Sequence, residues 1–377
     1  ALFTTFAATE LNNNDGHHAH TSDTPPSPPD DDNGDDIPDD GGVTPVKNDP
    51  VTFNNAVIWD KDAGTLQIRN ATFTYAENPD GSYTLTSKDG RTTIVQSWQV
   101  HESTNTVVFT GKNAGGDLLW SYDDTGQIIV TKLNGGVVDG ERGSHITIND
   151  ATIIDQGGNT ALNGGTVLRI DGNNIVLNNE GKTVAIGEGS VVGILTGDNI
   201  TINNDGDTVV AGGTAVIVNG DNASLYNIGD ADVSAGGTGS VINGDGAHVV
   251  NQGNMTVDGE NSIGSKIVGD DATLKQSGDL YVSGGARGIE IAGDRMKLGN
   301  TGNITVVNTN SIGVAIEGND AIFANVGNIN VSDSAVGVSV TGNSGRLSLA
   351  GDVLVGDFST GLNITGNNNS VTLATNE

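Results

Sequence analysis

Five aspartates recur at a nearly constant interval, each directly after a glycine. If the chain stacks upon itself, such a row of carboxylates could bind cations or line an acidic ligand groove. The alternative is that Gly-Asp and Gly-Asn pairs form tight turns, which often need positive φ. Asparagine takes the same place at Asn319, Asn343 and Asn367, which favours the turn. The candidate aspartates are Asp198, Asp221, Asp245, Asp270 and Asp294.

A group of basic residues lies within an otherwise acidic sequence. Eight Lys or Arg residues follow position 150, and five of them lie between Lys266 and Lys297. Because side chains alternate between the two faces of a strand, Lys275 and Lys297 are expected to point outward along one strip. These cations could pair with sulfates or carboxylates of a glycan, and nearby tyrosines could stack on its sugar rings. The alternative is scattered charge on a solvated face. The candidate ligand-binding residues are His248, Lys275, Lys297, Arg346, Tyr226 and Tyr281.

An acidic run at 30–40, DDDNGDDIPDD, resembles the calcium loops of thrombospondin type-3 repeats. Alternate oxygen ligands around a glycine suit Ca²⁺, which takes about six to eight of them. Asp31, Asn33 and Asp35 are therefore candidate calcium ligands, and Ca²⁺ is the candidate cofactor. The alternative is a plain acidic linker.

Catalytic motifs are missing from the sequence. It has no Gly-x-Ser-x-Gly elbow and no Gly-Asp-Ser-Gly signature. Pectin-degrading β-helix enzymes combine Asp pairs, a Gly-His-Gly and an Arg-Ile-Lys. This sequence matches only fragments of these motifs, at 270–271, His248 and 295–297, and it lacks the Asn-Thr-Asp that such enzymes require. Since acid, base and substrate-positioning groups must converge in an active site, we expect no enzyme and name no catalytic residue.

Composition narrows the class of protein further. The 377 residues include 56 glycines and no cysteine, and the formal net charge is −31. The lack of cysteine excludes disulfides and thiolate metal sites. The acidity disfavours nucleic acid as a partner, because its phosphates would be repelled. No apolar run reaches the length of about 18 residues that a membrane-spanning helix needs.

The chain divides into three predicted parts. Residues 1–50 hold seven of the eight prolines and ten carboxylates before the first basic residue, which predicts an acidic, proline-rich arm or linker. Residues 51–140 carry all three tryptophans and alternating runs between turn signals, which predicts irregular N-terminal β rungs that cap the repeats. Residues 141–377 carry a regular repeat.

The repeat is visible in two glycine series. Glycine followed by Asp or Asn recurs at intervals of 23 to 25 residues from Gly172 to Gly366, and a second glycine runs in parallel from Gly181 to Gly351. Each unit contains three short stretches in which apolar residues alternate, the period of a strand with one buried face. This predicts an all-β protein: a single-stranded right-handed parallel β-helix (solenoid), with three short strands per rung of about 24 residues.

An amide column accompanies the second glycine series. Stacked amides at one inward turn can bond to each other and to the turn backbone, which predicts a buried ladder. The alternative is a row of surface turn asparagines, and Leu349 interrupts the column. The members are Asn179, Asn204, Asn227, Asn251, Gln276, Asn300 and Asn325.

Cysteine-free, glycine- and asparagine-rich rungs behind an irregular N-terminal region resemble the adhesin passenger domains of bacterial autotransporters, the AIDA-like or pertactin-like branch of type V secretion. The resemblance covers about residues 50–377 and rests on architecture and composition. It implies a passenger exported across the outer membrane to the bacterial cell surface by a C-terminal barrel that this sequence lacks. Two-partner secretion uses the same solenoid and remains an alternative.

The resemblance implies adhesion. Members of the family bind host extracellular-matrix proteins or glycosaminoglycans, or associate with one another, and their ligand residues vary too much to be carried over. We therefore expect a virulence-related adhesin that binds a fibronectin-like matrix protein or an anionic glycan through an extended solenoid face. The alternatives are a self-associating biofilm adhesin and a polysaccharide-degrading β-helix enzyme.

Overall fold

The computed structural model describes a β-solenoid preceded by antiparallel strands. It covers residues 51–374 except 54–56, 61–62, 69–70, 80–82, 88–91, 102–105, 112–116, 123–127, 133–135 and 148. The predicted arm at 1–50, with its candidate calcium ligands Asp31, Asn33 and Asp35, lies outside the described residues. Among the described residues, no helix is long and apolar enough to cross a bilayer.

The solenoid contains three parallel sheets, and each coil runs through sheet C, then sheet A, then sheet B. Strands are numbered in chain order. Sheet C comprises β11 (Arg142–Thr147), β14 (Thr166–Asp171), β17 (Val191–Thr196), β20 (Thr214–Asn219), β23 (Thr238–Asn243), β26 (Ile263–Val268), β29 (Arg287–Ala292), β32 (Ile312–Glu317), β35 (Val336–Thr341) and β38 (Thr360–Thr365).

Sheet A comprises β12 (Ala151–Asp155), β15 (Ile175–Asn179), β18 (Thr201–Asn204), β21 (Ser224–Asn227), β24 (His248–Asn251), β27 (Thr273–Gln276), β30 (Lys297–Asn300), β33 (Ile322–Asn325), β36 (Arg346–Leu349) and β39 (Ser370–Leu373). Sheet B comprises β10 (Val137–Asp139), β13 (Asn159–Leu162), β16 (Thr183–Ile186), β19 (Thr208–Ala211), β22 (Ala231–Ser234), β25 (Met255–Asp258), β28 (Leu280–Ser283), β31 (Ile304–Val306), β34 (Ile329–Val331) and β37 (Val353–Val355). The predicted all-β parallel solenoid with three strands per coil is confirmed.

The segment before the solenoid has a different topology, because the nine strands described in it pair antiparallel with their chain neighbours. Its last strand then pairs in parallel with β12, so that the segment and sheet A form one continuous sheet. The strands are β1 (Val51–Phe53), β2 (Val57–Asp60), β3 (Thr65–Ile68), β4 (Ala71–Glu77), β5 (Tyr83–Ser87), β6 (Thr92–His101), β7 (Thr106–Gly111), β8 (Asp117–Tyr122) and β9 (Ile128–Lys132).

The core lies between the three sheets and is built from the predicted alternating residues. In one coil, Ile304 on sheet B, Val314 on sheet C and Phe323 on sheet A are each at most 1% exposed. Their partners on neighbouring coils are aliphatic as well, so apolar columns run along the solenoid. Each such side chain contributes about 1.5–3 kcal/mol when fully buried.

Glycine is needed at both series of positions because one coil lies too close to the next to leave room for a Cβ atom. A Cβ on Gly293 would lie 2.0 Å from the carbonyl oxygen of Gly269, and one on Gly302 would lie 2.1 Å from that of Gly278. Both distances are far below van der Waals contact, so a side chain at either position would push the coils apart.

The predicted amide ladder is confirmed. Asn204 Nδ2 donates to Asn227 Oδ1 at 2.6 Å and to the carbonyl of Gly206 at 2.7 Å. The same pair of bonds recurs on other coils, with Asn251 Nδ2 donating to Gln276 Oε1 at 2.9 Å and to Gly253. Each of these amide nitrogens thereby has acceptors inside the solenoid, although the buried Oδ1 atoms of Asn179 and Asn300 have no hydrogen-bond partner.

Candidate functional site

The outer face of sheet A carries the predicted basic residues. His248, Lys297 and Arg346 occupy one outward column of cross-strand partners, and Lys275 lies on the intervening strand β27 in the adjacent column. We call His248, Lys275, Lys297 and Arg346 the basic strip. Parallel strands are spaced by about 4.8 Å, which places Lys297 and Arg346 about 10 Å apart along the axis. The two lysines and the arginine are exposed.

Four other basic residues of the solenoid are paired with carboxylates, namely Arg169, Lys266, Arg287 and Arg295. On sheet C, Glu290 accepts from Lys266 at 2.7 Å and from Arg287 at 2.6 Å. Burial raises the pKa of Glu290, but the two hydrogen bonds outweigh it, and the pKa lies below its usual value. At the corner between sheets C and A, the Arg295 guanidinium donates to Asp271 at 2.7 Å, which lowers the pKa of that carboxyl.

The basic strip differs from these pairs. Within the part of the chain that the structure describes, Lys275, Lys297 and Arg346 have no carboxylate within 4.0 Å of their charged nitrogens. Three cations with no carboxylate in direct contact, on one face of a protein with a net charge of −31, leave a local site where an anion can be bound. Arg346 can offer two parallel N–H donors to a sulfate or carboxylate.

The structure separates the two candidate tyrosines. Tyr226 lies on sheet A beside the basic strip, and its ring meets the His248 imidazole edge-on at 5.8 Å. Tyr281 lies on sheet B, 43% exposed, between Thr256 and Thr305 in one outward column. Only Tyr226 can therefore contact the same ligand segment as the basic strip.

The candidate aspartates form a continuous ladder at the corner between sheets C and A. Asp198 Oδ1 accepts the backbone N–H of Asp221 at 3.0 Å, and each later coil repeats this bond. Asparagine makes the same bond, as Asn319 does toward the N–H of Asn343 at 3.0 Å. The ladder gives these side chains a backbone-binding role that aspartate and asparagine fill equally, and it connects Asp198, Asp221, Asp245, Asp270, Asp294 and Asn319.

Metal-binding geometry is absent from the residues that the structure describes, where no three His, Asp or Glu side chains converge on one point. The candidate Ca²⁺ ligands in the 30–40 run are not among those residues and stay a prediction.

The antiparallel segment is similar to a known domain family. Residues 51–131 match the family model described as "BigA and YdbA N-terminal beta barrel domain". The chain is also 32% identical over 106 residues to the "Putative surface-exposed virulence protein BigA" of Salmonella typhimurium strain LT2. That similarity covers 25% of this chain and 5% of the Salmonella protein. The family match therefore concerns the strands β1–β9, and the solenoid lies outside it.

A buried polar cluster was missed from the sequence. Lys132 is 0% exposed, and its Nζ donates to Asn159 Oδ1 at 2.5 Å. Asn159 Nδ2 donates to Asp155 Oδ2 at 2.6 Å, and Asp155 Oδ1 lies 3.6 Å from the lysine nitrogen. Lys132 and Asp155 occupy the two positions that precede Asn179 in the column of the amide ladder. Extending the ladder spacing backward would have found them.

Proposed function

We propose that this chain is part of an adhesive bacterial surface protein and that the outer face of sheet A binds an anionic glycan. Surface exposure is supported by the 32% identity over 106 residues to a protein described as a putative surface-exposed virulence protein. In this proposal the chain is an exported autotransporter passenger that acts by binding its ligand and is not an enzyme that acts on it.

The observation that carries the proposal is the unpaired state of Lys275, Lys297 and Arg346. Elsewhere on the same solenoid, four basic side chains have a carboxylate at 2.6 to 3.2 Å, namely Arg169, Lys266, Arg287 and Arg295. Arg142 and Lys182 are exposed without such a partner among the described residues, but neither lies on sheet A. Cations held about 5–10 Å apart on adjoining strands suit a polymer that carries repeated sulfates or carboxylates. Each exposed contact contributes little alone, and several along one chain add up.

The test measures binding of the purified chain to immobilised heparin and chondroitin sulfate. The triple variant Lys275→Gln, Lys297→Gln, Arg346→Gln should bind at least about tenfold more weakly, a loss of about 1.4 kcal/mol. Binding of the parent should also weaken as salt is raised, because exposed charges are screened. Retention of full affinity by the triple variant would overturn the assignment of the strip.

A matched control separates a local effect from a change in overall charge. The outer face of sheet B offers Thr256, Thr305 and Asn330, which are all at least partly exposed. Replacing these three by aspartate changes the net charge by the same amount as the glutamine variant. The control should bind the glycan nearly as well as the parent, since it leaves the basic strip intact.

The alternatives appear as other outcomes of the same experiments. Binding to immobilised fibronectin with none to either glycan would favour a matrix-protein adhesin. Concentration-dependent sedimentation would favour self-association. Release of reducing ends from a polysaccharide would show that the proposal of a non-catalytic protein is wrong.

A further inference from the structure

We propose that Lys132 and Asn159 join in an intramolecular isopeptide bond, with Asp155 as the catalytic group that carries the proton. The three side chains meet where the antiparallel segment enters the solenoid, Lys132 at the end of β9, Asp155 at the end of β12 and Asn159 at the start of β13. An amine, an amide carbonyl and a carboxyl group in mutual contact form a complete set for amide exchange.

The distances place the reacting atoms together. Lys132 Nζ lies 2.5 Å from Asn159 Oδ1, and a C=O bond measures about 1.23 Å, so Nζ is within about 3.7 Å of the amide carbon. This approaches the separation of about 3–3.5 Å at which attack can begin. The backbone N–H of Gly136 points at the same oxygen from 3.5 Å, where negative charge would develop.

Asp155 contacts both nitrogens that must exchange a proton. Its Oδ2 accepts from the leaving nitrogen Nδ2 of Asn159 at 2.6 Å, and its Oδ1 lies 3.6 Å from the attacking nitrogen of Lys132. One carboxyl group therefore bridges the nucleophile and the leaving group. Oδ1 has no hydrogen-bond partner, which leaves it open to receive the lysine proton.

Burial favours the neutral forms that the reaction needs. Lys132, Asp155 and Asn159 are 0%, 2% and 2% exposed. Burial lowers the pKa of Lys132 against the opposing charge of Asp155. Burial also raises the pKa of Asp155, and the charge of Lys132 and the hydrogen bonds only partly offset this. Transfer of one proton within the pair yields an uncharged amine, which is the nucleophile, beside a carboxylic acid.

The step is balanced without any co-reactant. The lysine nitrogen attacks the amide carbon of Asn159, forming the new C–N bond, and gives a proton to Oδ1 of Asp155. Asp155 gives its own proton through Oδ2 to Nδ2, the bond between the amide carbon and Nδ2 breaks, and ammonia leaves. Asp155 ends as the carboxylic acid it was at the start, and nothing is oxidised or reduced.

The bond would cross-link the end of the antiparallel segment to the first coils of the solenoid, in addition to the backbone that already joins them. It would close a loop of 27 residues between the antiparallel strands and the first coils of the solenoid. A chain with no cysteine would thereby gain a covalent cross-link that does not depend on redox conditions.

The test is the intact mass of the denatured parent protein. We expect a mass below the sequence mass by one ammonia, and a tryptic branched peptide that joins residues 113–142 to 143–169, because trypsin cannot cleave after an acylated Lys132. A succinimide at Asn134-Gly135 would lose the same mass but leave linear peptides. A parent mass equal to the sequence mass, or a loss confined to linear peptides, would overturn the proposal.

Variants identify the acceptor. Asn159→Asp should lose one water in place of one ammonia, since a carboxyl group then accepts the amine. Lys132→Met should keep its full sequence mass, and the control Lys182→Met, at an exposed residue just before β16, should still lose ammonia. A branched peptide that joins Lys132 to Asp155 with loss of water in the parent would show that the assigned acceptor is wrong.

Discussion

Replacing Asn251 by leucine tests whether the amide ladder stabilises the solenoid. Asn251 is 3% exposed; it accepts from Asn227 Nδ2 at 2.6 Å and donates to Gln276 Oε1 at 2.9 Å and to the carbonyl of Gly253 at 3.1 Å. Leucine removes all three bonds. Gln276 Oε1 and the carbonyl oxygen of Gly253 then lose the Asn251 Nδ2 donor. A lost bond costs about 0.5–1.5 kcal/mol, and a buried unsatisfied group costs about 1–3, so we expect a loss of about 3–5 kcal/mol.

The assay is urea unfolding followed by circular dichroism, with amide hydrogen exchange to locate the weakened coils. Asn203→Leu is the matched control, because Asn203 makes one bond to Asn178 at 2.7 Å on the outer face and water can replace it. The control should lose at most about 1 kcal/mol. Leu349 is 1% exposed in the ladder column, so leucine fits the space. Equal losses in the two variants would refute the reasoning.

Two further predictions concern packing and pH. A Cβ on Gly193 would lie 3.6 Å from its nearest atoms, so Gly193→Ala should stabilise the fold by about 0.5–1 kcal/mol. A Cβ on Gly264 would lie 2.5 Å from a backbone oxygen, so Gly264→Ala should destabilise the fold by about 1–3 kcal/mol. Thermal unfolding measures both changes. Because the pKa of Glu290 is depressed in the folded protein, this carboxylate adds to the free energy of unfolding. The contribution is fully present at a pH above the ordinary glutamate pKa of about 4.3 and is lost as the pH falls through the depressed pKa. NMR titration of this carboxyl should show its pKa rising in Lys266→Ala or Arg287→Ala, and an unchanged pKa in both variants would contradict the assignment.

The solenoid could be predicted because its physical requirements repeat. A glycine such as Gly293 is needed wherever two coils approach within a distance that excludes a Cβ, so its spacing reports the length of a coil. The amide column follows the same spacing, since Asn204 and Asn227 occupy equivalent inward turns. The antiparallel pairing of β1–β9 could not be read in this way. Alternation of apolar residues is the same in parallel and antiparallel strands, and irregular turns leave no period.

The candidate site was only partly predictable. Register along sheet A was enough to place Lys297 and Arg346 in one column. It could not reveal that Lys266 is neutralised by Glu290, because the partners come from neighbouring coils and side-chain conformation decides the contact. Lys132 was overlooked because lysine is almost never fully buried without a partner, and its partners lie more than twenty residues away.

In the corner ladder of aspartates and asparagines, the charge of the side chains can vary without a change in the backbone hydrogen bonds that they accept. Oδ1 of each side chain accepts the backbone N–H of the next coil, and both residue types supply that atom. Exchange of carboxylate for amide therefore alters the electrostatic potential along an entire edge while the backbone hydrogen bonds persist. The charge along this edge can thus differ from coil to coil while the ladder keeps its backbone hydrogen bonds.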